Sequence, residues 1–276
     1  MQHFDLFKRL YNKKQCITQI ITIMKKLIYL IVLPFFLLCS CEEDAGTEVT
    51  EYMPNFIDSY YSYNDCLVYA YDNKQLAIFA DFEINRDINN WYTLKSKDES
   101  NRAKFTELSI KNNDTSYNRT HTFVWGYASY NMMPDTDIKS INIVSSVPID
   151  KDHPAGASLN DLFILQAVTP RNFINSNYTE VLTTKEIDDL TFSSEGLYSN
   201  GIFTPCYAPI FKPLETVVEE DLVLIGDGEM DTCILFVLNP KDKFNCPAYG
   251  KRLTITLTYD DKQPISKTFT YTQGVY

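Results

Sequence analysis

Hydrophobic and polar residues alternate along much of the chain, and the alternation is clearest at residues 75–84. There an apolar side chain recurs at every second position, starting from Leu76. A period of two places one face of a strand against a core and the other face in mixed surroundings. Residues 66–71 are also apolar, and a polar turn at residues 72–74 separates the two segments. The pattern therefore predicts a β-hairpin.

The same alternation returns near the end of the chain. Residues 252–259 alternate leucine, isoleucine and tyrosine with threonine, and residues 267–272 repeat the pattern after a turn that contains Pro264. Proline has no N–H to donate to a neighbouring strand, so it ends the pairing there. The sequence therefore predicts a second antiparallel hairpin.

Other strands are expected where apolar and β-branched residues cluster between polar turns. These segments are residues 105–110, 120–130, 138–145, 222–225 and 233–238. We expect the first two to pair with each other, and the last two to pair across a glycine-containing turn. Helical signals are few. Ser158 stands three residues before Asp161, which predicts a capped short helix from about Leu159, and residues 184–190 predict one more turn.

Strands at roughly 8 to 12 residue spacing, punctuated by turns, are typical of β-sandwiches and open barrels. We therefore predict an all-β protein, an antiparallel β-sandwich that is immunoglobulin-like or related, with one or two short helices. The domain is expected over residues 51–276. Residues 147–157, which contain Pro148 and Pro154, are the alternative boundary if the domain is divided in two.

The first 40 residues have the features of an export signal. Met24 is followed by two lysines and then by an apolar run of 12 residues at positions 27–38. A membrane-spanning helix needs about 20 residues, so the run fits a secretory signal peptide better than a transmembrane anchor. We predict that translation starts at Met24, that residues 1–23 are an untranslated extension, and that residues 24–40 are the signal peptide.

Leu38-Cys39-Ser40-Cys41 resembles the lipobox, the motif at which bacterial lipoproteins are cleaved before a lipidated cysteine. The resemblance implies acylation of Cys41, and two or three acyl chains such as palmitate anchor a protein stably. Residues 41–50 would then be a flexible tether. The acidic residues 42–44 resemble a signal for export to the outer face of the outer membrane in gut-type Gram-negative bacteria, and a plain solvated tether is the alternative. We expect an outer-membrane lipoprotein, either periplasmic or surface-exposed.

The charge of the chain argues against nucleic acid as a partner. The net charge is −11. Residues 1–40, the predicted leader, carry six Lys and Arg but one Asp, so a chain that begins at Cys41 is more acidic. Nucleic-acid binding depends on neutralising phosphates with Lys and Arg. The predicted anchor, and not charge, would hold the domain at a membrane.

Four cysteines remain after the predicted cleavage, an even number that is typical of disulfide bonding in an oxidising compartment. We expect the pairs Cys233–Cys246 and Cys66–Cys206, and four small buried thiols are the alternative.

Asp227, Glu229 and Asp231 alternate in a glycine-containing turn and could supply oxygen ligands to calcium. The pattern lacks the ordered spacing of a dedicated calcium loop, and a solvated turn is the alternative. No other metal or cofactor is expected.

Rings recur along one predicted strand at His121, Phe123, Trp125 and Tyr127. Exposed rows of rings can stack on the apolar faces of sugars, which would make Trp125 and Tyr127 a glycan-binding platform. Burial in the sandwich core is the alternative, and the favoured one, because large aromatic side chains gain most from burial. His121 and His153 are the two histidines after the leader, and ordinary surface or core positions are favoured for both over catalysis.

One stretch resembles a family. His153-Pro-Ala-Gly-Ala-Ser-Leu-Asn-Asp, which follows a predicted strand, resembles a segment of uncharacterised lipoproteins of gut-type Gram-negative bacteria. The resemblance implies a secreted, lipidated domain and no particular activity.

The usual hydrolase, zincin and nucleotide-binding motifs are absent from the sequence. We therefore expect a non-enzymatic module that binds a glycan or a surface protein. The alternative is a secreted glycan hydrolase that uses two carboxylates.

Overall fold

The fold is all-β, as the alternating pattern predicts, and two α-helices accompany the sheets within the described residues. The computed structural model describes residues 48–71, 73–81, 91–124, 131–183, 185–186, 204–227 and 233–275. The chain forms two compact units, one of residues 1–49 and 123–127 and the other of residues 50–122 and 128–276. Of the first unit, the described residues are 48–49 and 123–124, which belong to the paired strands β1 (Glu48–Met53) and β6 (Arg119–Val124). The other strands all belong to the second unit.

A six-stranded antiparallel sheet forms the centre of the second unit. Its strands, in spatial order, are β10 (Ala208–Pro213), β9 (Phe163–Thr169), β11 (Ile234–Pro240), β4 (Leu76–Asp81), β3 (Asp65–Ala70) and β14 (Gly274–Val275). Both faces of this sheet are covered. Every residue of β11 is therefore buried, and its sequence is a continuous apolar run until Asn239.

A three-stranded antiparallel sheet packs on one face of the central sheet. It consists of β13 (Ile265–Thr270), β12 (Arg252–Thr258) and β8 (Ser140–Ser145). Its inner side chains, such as Leu253 and Ile255, join Val68 and Ile78 of the central sheet in the first core. Its outer face carries hydroxyl pairs such as Thr254 with Thr268, 2.8 Å apart. The two sheets together form the predicted sandwich.

The second core lies on the opposite face of the central sheet, where Ala77 of β4 and Val237 of β11 point. It is covered by α1 (Glu99–Lys111), α2 (Arg171–Asn175) and a small sheet of β5 (Trp91–Tyr92), β2 (Ser59–Tyr61) and β7 (Met132–Pro134). β2 runs parallel to β7 and antiparallel to β5. Phe105 and Leu108 of α1 and Phe173 of α2 are buried there.

Helix α1 corrects the prediction of a strand at residues 105–110. Asp98 caps the helix, since its Oδ1 accepts a hydrogen bond from the Ser100 amide at 2.8 Å. The buried residues Phe105 and Leu108 are three positions apart, which is the spacing of a helix face. The predicted pairing with residues 120–130 is therefore wrong, and β6 pairs with β1. Among the described residues, no helix is long and apolar enough to cross a bilayer.

The two hairpins predicted from alternation are confirmed as β3–β4 and β12–β13, and the strand at residues 138–145 is confirmed as β8. The short helix predicted from Leu159 is a single 3-10 turn at Asn160–Leu162. The prediction of a strand at residues 222–225 is wrong, because Glu219–Leu222 is a 3-10 helix and Leu224 has a φ of +52°. β11 therefore pairs with β4 and β9. Residues 184 and 187–190 lie outside the described residues.

The four cysteines are free thiols, which corrects both predicted disulfides. Cys66 belongs to the first core and Cys206 packs against the second, so the central sheet separates them. Cys233 precedes β11 and its carbonyl accepts from Ala80, whereas Cys246 lies beyond the other end of that strand. Seven strand residues span roughly 20 Å. A disulfide needs Cα atoms within about 7 Å.

Candidate functional site

Several predicted site residues lie outside the described residues: Cys41, Trp125, Tyr127, Glu229 and Asp231. Asp227 is described and is buried, and its amide donates to the carbonyl of Ile234 at 3.0 Å. In the described part of the chain, no three His, Cys, Asp or Glu side chains converge as a metal site would require. The calcium site and the Trp125 platform therefore stay predictions.

His121 lies half-buried on β6. Of the predicted row of rings, it is the residue whose side-chain surroundings the structure describes. Its ring stacks on the ring of Tyr117, with centroids 5.6 Å apart and planes 10° from parallel. Nε2 of His121 lies 2.7 Å from the hydroxyl of Tyr117. The strand thus presents His121 to a buried tyrosine of the loop that precedes it.

Tyr117 belongs to a set of packed rings that we call the aromatic cluster. Its members are Phe56, Tyr117, Phe173 and Tyr178. The ring of Tyr117 meets those of Phe56, Phe173 and Tyr178 edge-on, at centroid distances of 5.4, 6.2 and 5.1 Å. Edge-to-face packing of this kind is favourable beyond the area it buries. All four rings are buried, so the cluster is a rigid base for the side chains above it.

Arg119, two residues before His121 on the same side of β6, lies on this base. Its guanidinium carbon is 4.9 Å from the ring centre of Tyr117 and 5.7 Å from that of Phe173. Its Nη2 donates to the carbonyl of Tyr178 at 2.7 Å. The residue is exposed, and no carboxylate of the described ranges is within salt-bridge distance of it. We call Tyr117, Arg119 and His121 the Arg119 site.

Asp114 supports the cluster from inside the protein, where it is fully buried. Its Oδ1 accepts from the Phe56 amide at 2.8 Å and from the Tyr178 hydroxyl at 2.9 Å, and its Oδ2 accepts from the Ile57 amide at 2.7 Å. Burial raises the pKa of Asp114 to about 6, and the two backbone donors and the hydroxyl oppose the rise. Asp114 therefore fixes Tyr178, whose carbonyl in turn holds Arg119.

The other titratable groups beside Arg119 are neutral at pH 7. Burial, with a smaller effect of Arg119, lowers the pKa of His121. Burial raises the pKa of Tyr117 to about 12 and that of Cys206 to about 11, although Arg119 opposes both shifts. The guanidinium is therefore the one charge that this set of described side chains presents to solvent.

Another cation, Lys262, also lies over rings, and its contacts differ from those of Arg119. Lys262 is half-buried, 3.7 Å from the ring centre of Tyr63 and 4.1 Å from that of Tyr259, and it donates to the carbonyl of Tyr63 at 2.8 Å. Burial lowers its pKa, and the nearby charges of Asp135 and Asp261 oppose this. Lys262 thus has acidic neighbours and closes the β12–β13 turn, which is a structural role.

His153 also has a structural role. Its Nδ1 is 2.8 Å from Asp150 and its Nε2 is 3.0 Å from Asp161. The hydrogen bond to the carboxylate of Asp161 is the largest cause that raises the pKa of His153. A carboxylate beside each ring nitrogen favours the protonated imidazole, because that form can donate to both. His153 thus links Asp150 to Asp161 in the β8–β9 connection, an arrangement that we call the His153 clasp.

A small depression beside β7, lined by Pro134, Thr136, Asp137, Ile138, Leu222, Leu224 and Ile225, is a cavity without room for even a water molecule. Asp137 is the carboxylate among these residues, and it accepts from the Leu224 amide at 2.9 Å and from Lys111 at 3.0 Å. Ligand pockets usually measure about 300 to 1,000 Å³. This cavity offers neither the room nor the second carboxylate that glycoside cleavage requires.

Sequence reasoning missed Arg119 and Asp114. Arg119 shares a strand face with His121, a signal that the period of two could have supplied. Asp114 follows two asparagines in a polar loop, and nothing in that pattern indicates a buried carboxylate. Comparison of the chain with protein-family models, curated protein sequences and solved structures finds no match.

Proposed function

We propose that the protein is a lipid-anchored lipoprotein of the outer membrane that binds a glycan without cleaving it, and that the Arg119 site makes the contact. The observation that carries the proposal is an exposed guanidinium fixed on buried rings with no acidic partner in the described residues. A guanidinium has five N–H donors, and the fold uses one of those of Arg119 on the carbonyl of Tyr178. Here much of the donor capacity faces solvent.

Glycan recognition needs rigidly held hydrogen-bond donors, and Arg119 supplies them. The aromatic cluster holds Arg119 by two ring contacts and one hydrogen bond, so little side-chain entropy is lost when a ligand binds. In the sequence, Trp125 and Tyr127 continue the period-two row that contains His121. Both lie outside the described residues, and their part in stacking on sugar stays a prediction.

The leader supports the cellular part of the proposal. The lipobox-like sequence supports acylation of Cys41, so the membrane is a partner through the anchor. The acidic balance disfavours nucleic acid. The lipoprotein resemblance at residues 153–161 agrees with this assignment. A surface protein is the alternative ligand and is an outcome of the experiment below.

The experiment is a glycan array probed with the purified chain, its Arg119→Ala variant and the control Arg252→Ala. Arg252 is also the exposed first residue of a strand, β12, so the control removes an equal charge. We expect a defined set of glycans to bind the wild type and the control, and to lose roughly tenfold in affinity for Arg119→Ala. Binding that is equal in all three proteins, or no binding, would refute the site. Release of new reducing ends would favour the hydrolase.

A further inference from the structure

We infer that the glycan group recognised by Arg119 is an oxyanion, either the carboxylate of a uronic acid or a sulfate ester. The inference rests on the proposed function, since it names the ligand chemistry of the same site. It follows from three features: the position of the guanidinium, the charges around it, and the geometry of its donors.

The position of the guanidinium is fixed before any ligand arrives. Tyr117 and Phe173 lie against it at 4.9 and 5.7 Å, and the carbonyl of Tyr178 holds Nη2 at 2.7 Å. The residue is exposed, so guanidinium donors that the fold does not use can meet a ligand. An arginine pairs with a carboxylate or sulfate through two parallel hydrogen bonds.

The charges around Arg119 favour an anion. Arg119 affects the pKa of Tyr117, His121 and Cys206, and none of these is a carboxylate. Asp114, which supports the cluster from inside, already accepts from Phe56, Ile57 and Tyr178. Elsewhere on this acidic chain, lysines such as Lys212 and Lys267 lie within 2.7 Å of a carboxylate. Arg119 has no such partner among the described residues.

The donor geometry separates this inference from general sugar binding. A neutral hydroxyl accepts one hydrogen bond from a guanidinium and needs no charge. An oxyanion accepts two and also gains from the positive charge, and such charge-assisted bonds are roughly twice as strong. An arginine that is oriented and unpaired is therefore best matched by a charged ligand group.

The test measures binding of matched oligosaccharides that differ in one group. The first pair is an oligogalacturonate and its carboxyl-reduced counterpart, and the second is a sulfated galactan oligosaccharide and its desulfated form. Isothermal titration is performed with wild type, Arg119→Lys and Arg119→Gln, after thermal melts confirm that all three are folded. The first variant keeps the charge without the fork, and the second keeps a planar amide without the charge.

We expect the charged member of at least one pair to bind wild type at least about tenfold more tightly than its neutral partner. That preference should fall in Arg119→Lys, vanish in Arg119→Gln, and weaken as salt is raised. The pair that shows it identifies carboxylate or sulfate as the source. If neutral and charged members bind equally, the oxyanion inference is wrong while glycan binding stands. If no glycan binds here or on the array, both proposals are wrong.

Discussion

Replacing Asp114 with alanine tests whether this buried carboxylate supports the aromatic cluster. The substitution leaves the amides of Phe56 and Ile57 without their acceptor in a fully buried place. The hydroxyl of Tyr178 also loses its acceptor while still accepting from the amide of Ser116 at 3.3 Å, but a hydroxyl can rotate towards another acceptor, which a backbone amide cannot. The main cost is therefore that of two orphaned backbone donors.

Each buried donor left unpaired costs about 1 to 3 kcal/mol. Loss of both should lower the free energy of unfolding by about 2 to 6 kcal/mol. A domain is usually stable by about 5 to 15 kcal/mol. Asp114→Asn keeps one acceptor oxygen but turns its NH₂ towards a backbone donor, so we expect an intermediate loss of about 2 kcal/mol.

Urea unfolding, followed by tyrosine and tryptophan fluorescence, measures these losses. The matched control is Asp152→Ala, since the side chain of Asp152 is 71% exposed and pairs with Lys151 at 3.4 Å. The control should change stability by less than about 0.5 kcal/mol. Because the folded pKa of Asp114 is raised to about 6, its protonation stabilises the fold below its ordinary pKa, and this contribution is lost as pH rises through 6. When pH is lowered from 7 to 5, the free energy of unfolding of wild type should therefore rise relative to that of Asp114→Asn. Equal stability of Asp114→Ala and the control would refute the reasoning.

Three further predictions concern other parts of the chain. Cys41→Ala should release the protein from the membrane fraction and abolish labelling with a clickable fatty acid, whereas continued labelling would exclude the site. The folded pKa of His153 is raised, so its clasp stabilises the protein fully below the ordinary histidine pKa and is lost as pH rises through the raised value. The gap in melting temperature between wild type and His153→Ala should accordingly shrink from pH 6 to pH 9, and a constant gap would contradict the clasp. Iodoacetamide added in denaturant without reductant should alkylate Cys66, Cys206, Cys233 and Cys246. Two cysteines that stay unmodified would show that they form a disulfide, which would contradict the free thiols.

The sequence predicts the fold best where one face of a strand is exposed to solvent. In β12, threonines alternate with buried apolar residues, and the strand is predicted almost to the residue. β9 is not predicted, because both faces of the central sheet are covered and its side chains are buried from Leu165 to Thr169. The segment 105–110 of α1 is predicted as a strand, because two buried positions within six residues fit the period of a strand as well as that of a helix.

The site is harder to predict than the fold because its residues come from separate elements. Phe56 precedes β2, Tyr117 and Arg119 flank the start of β6, and Phe173 lies on α2. No local pattern relates these positions. The period of two predicts a row of rings with His121, and the aromatic base beneath Arg119 arises only when α2 and the loop after β1 pack together. The predicted disulfides fail for the same reason, because spacing along the chain does not show which face of a sheet each thiol occupies.

The most direct test of glycan binding at the Arg119 site is the side-chain NMR signal of that arginine. Nε–Hε correlations of ¹⁵N-labelled protein are recorded while the glycan selected by the array is added, and the Arg119 signal is assigned by its absence from Arg119→Lys. We predict a saturable shift of the Arg119 signal with the same Kd as titration calorimetry, together with shifts of the His121 ring. A stationary Arg119 signal, with saturable shifts elsewhere in the protein, would contradict the account.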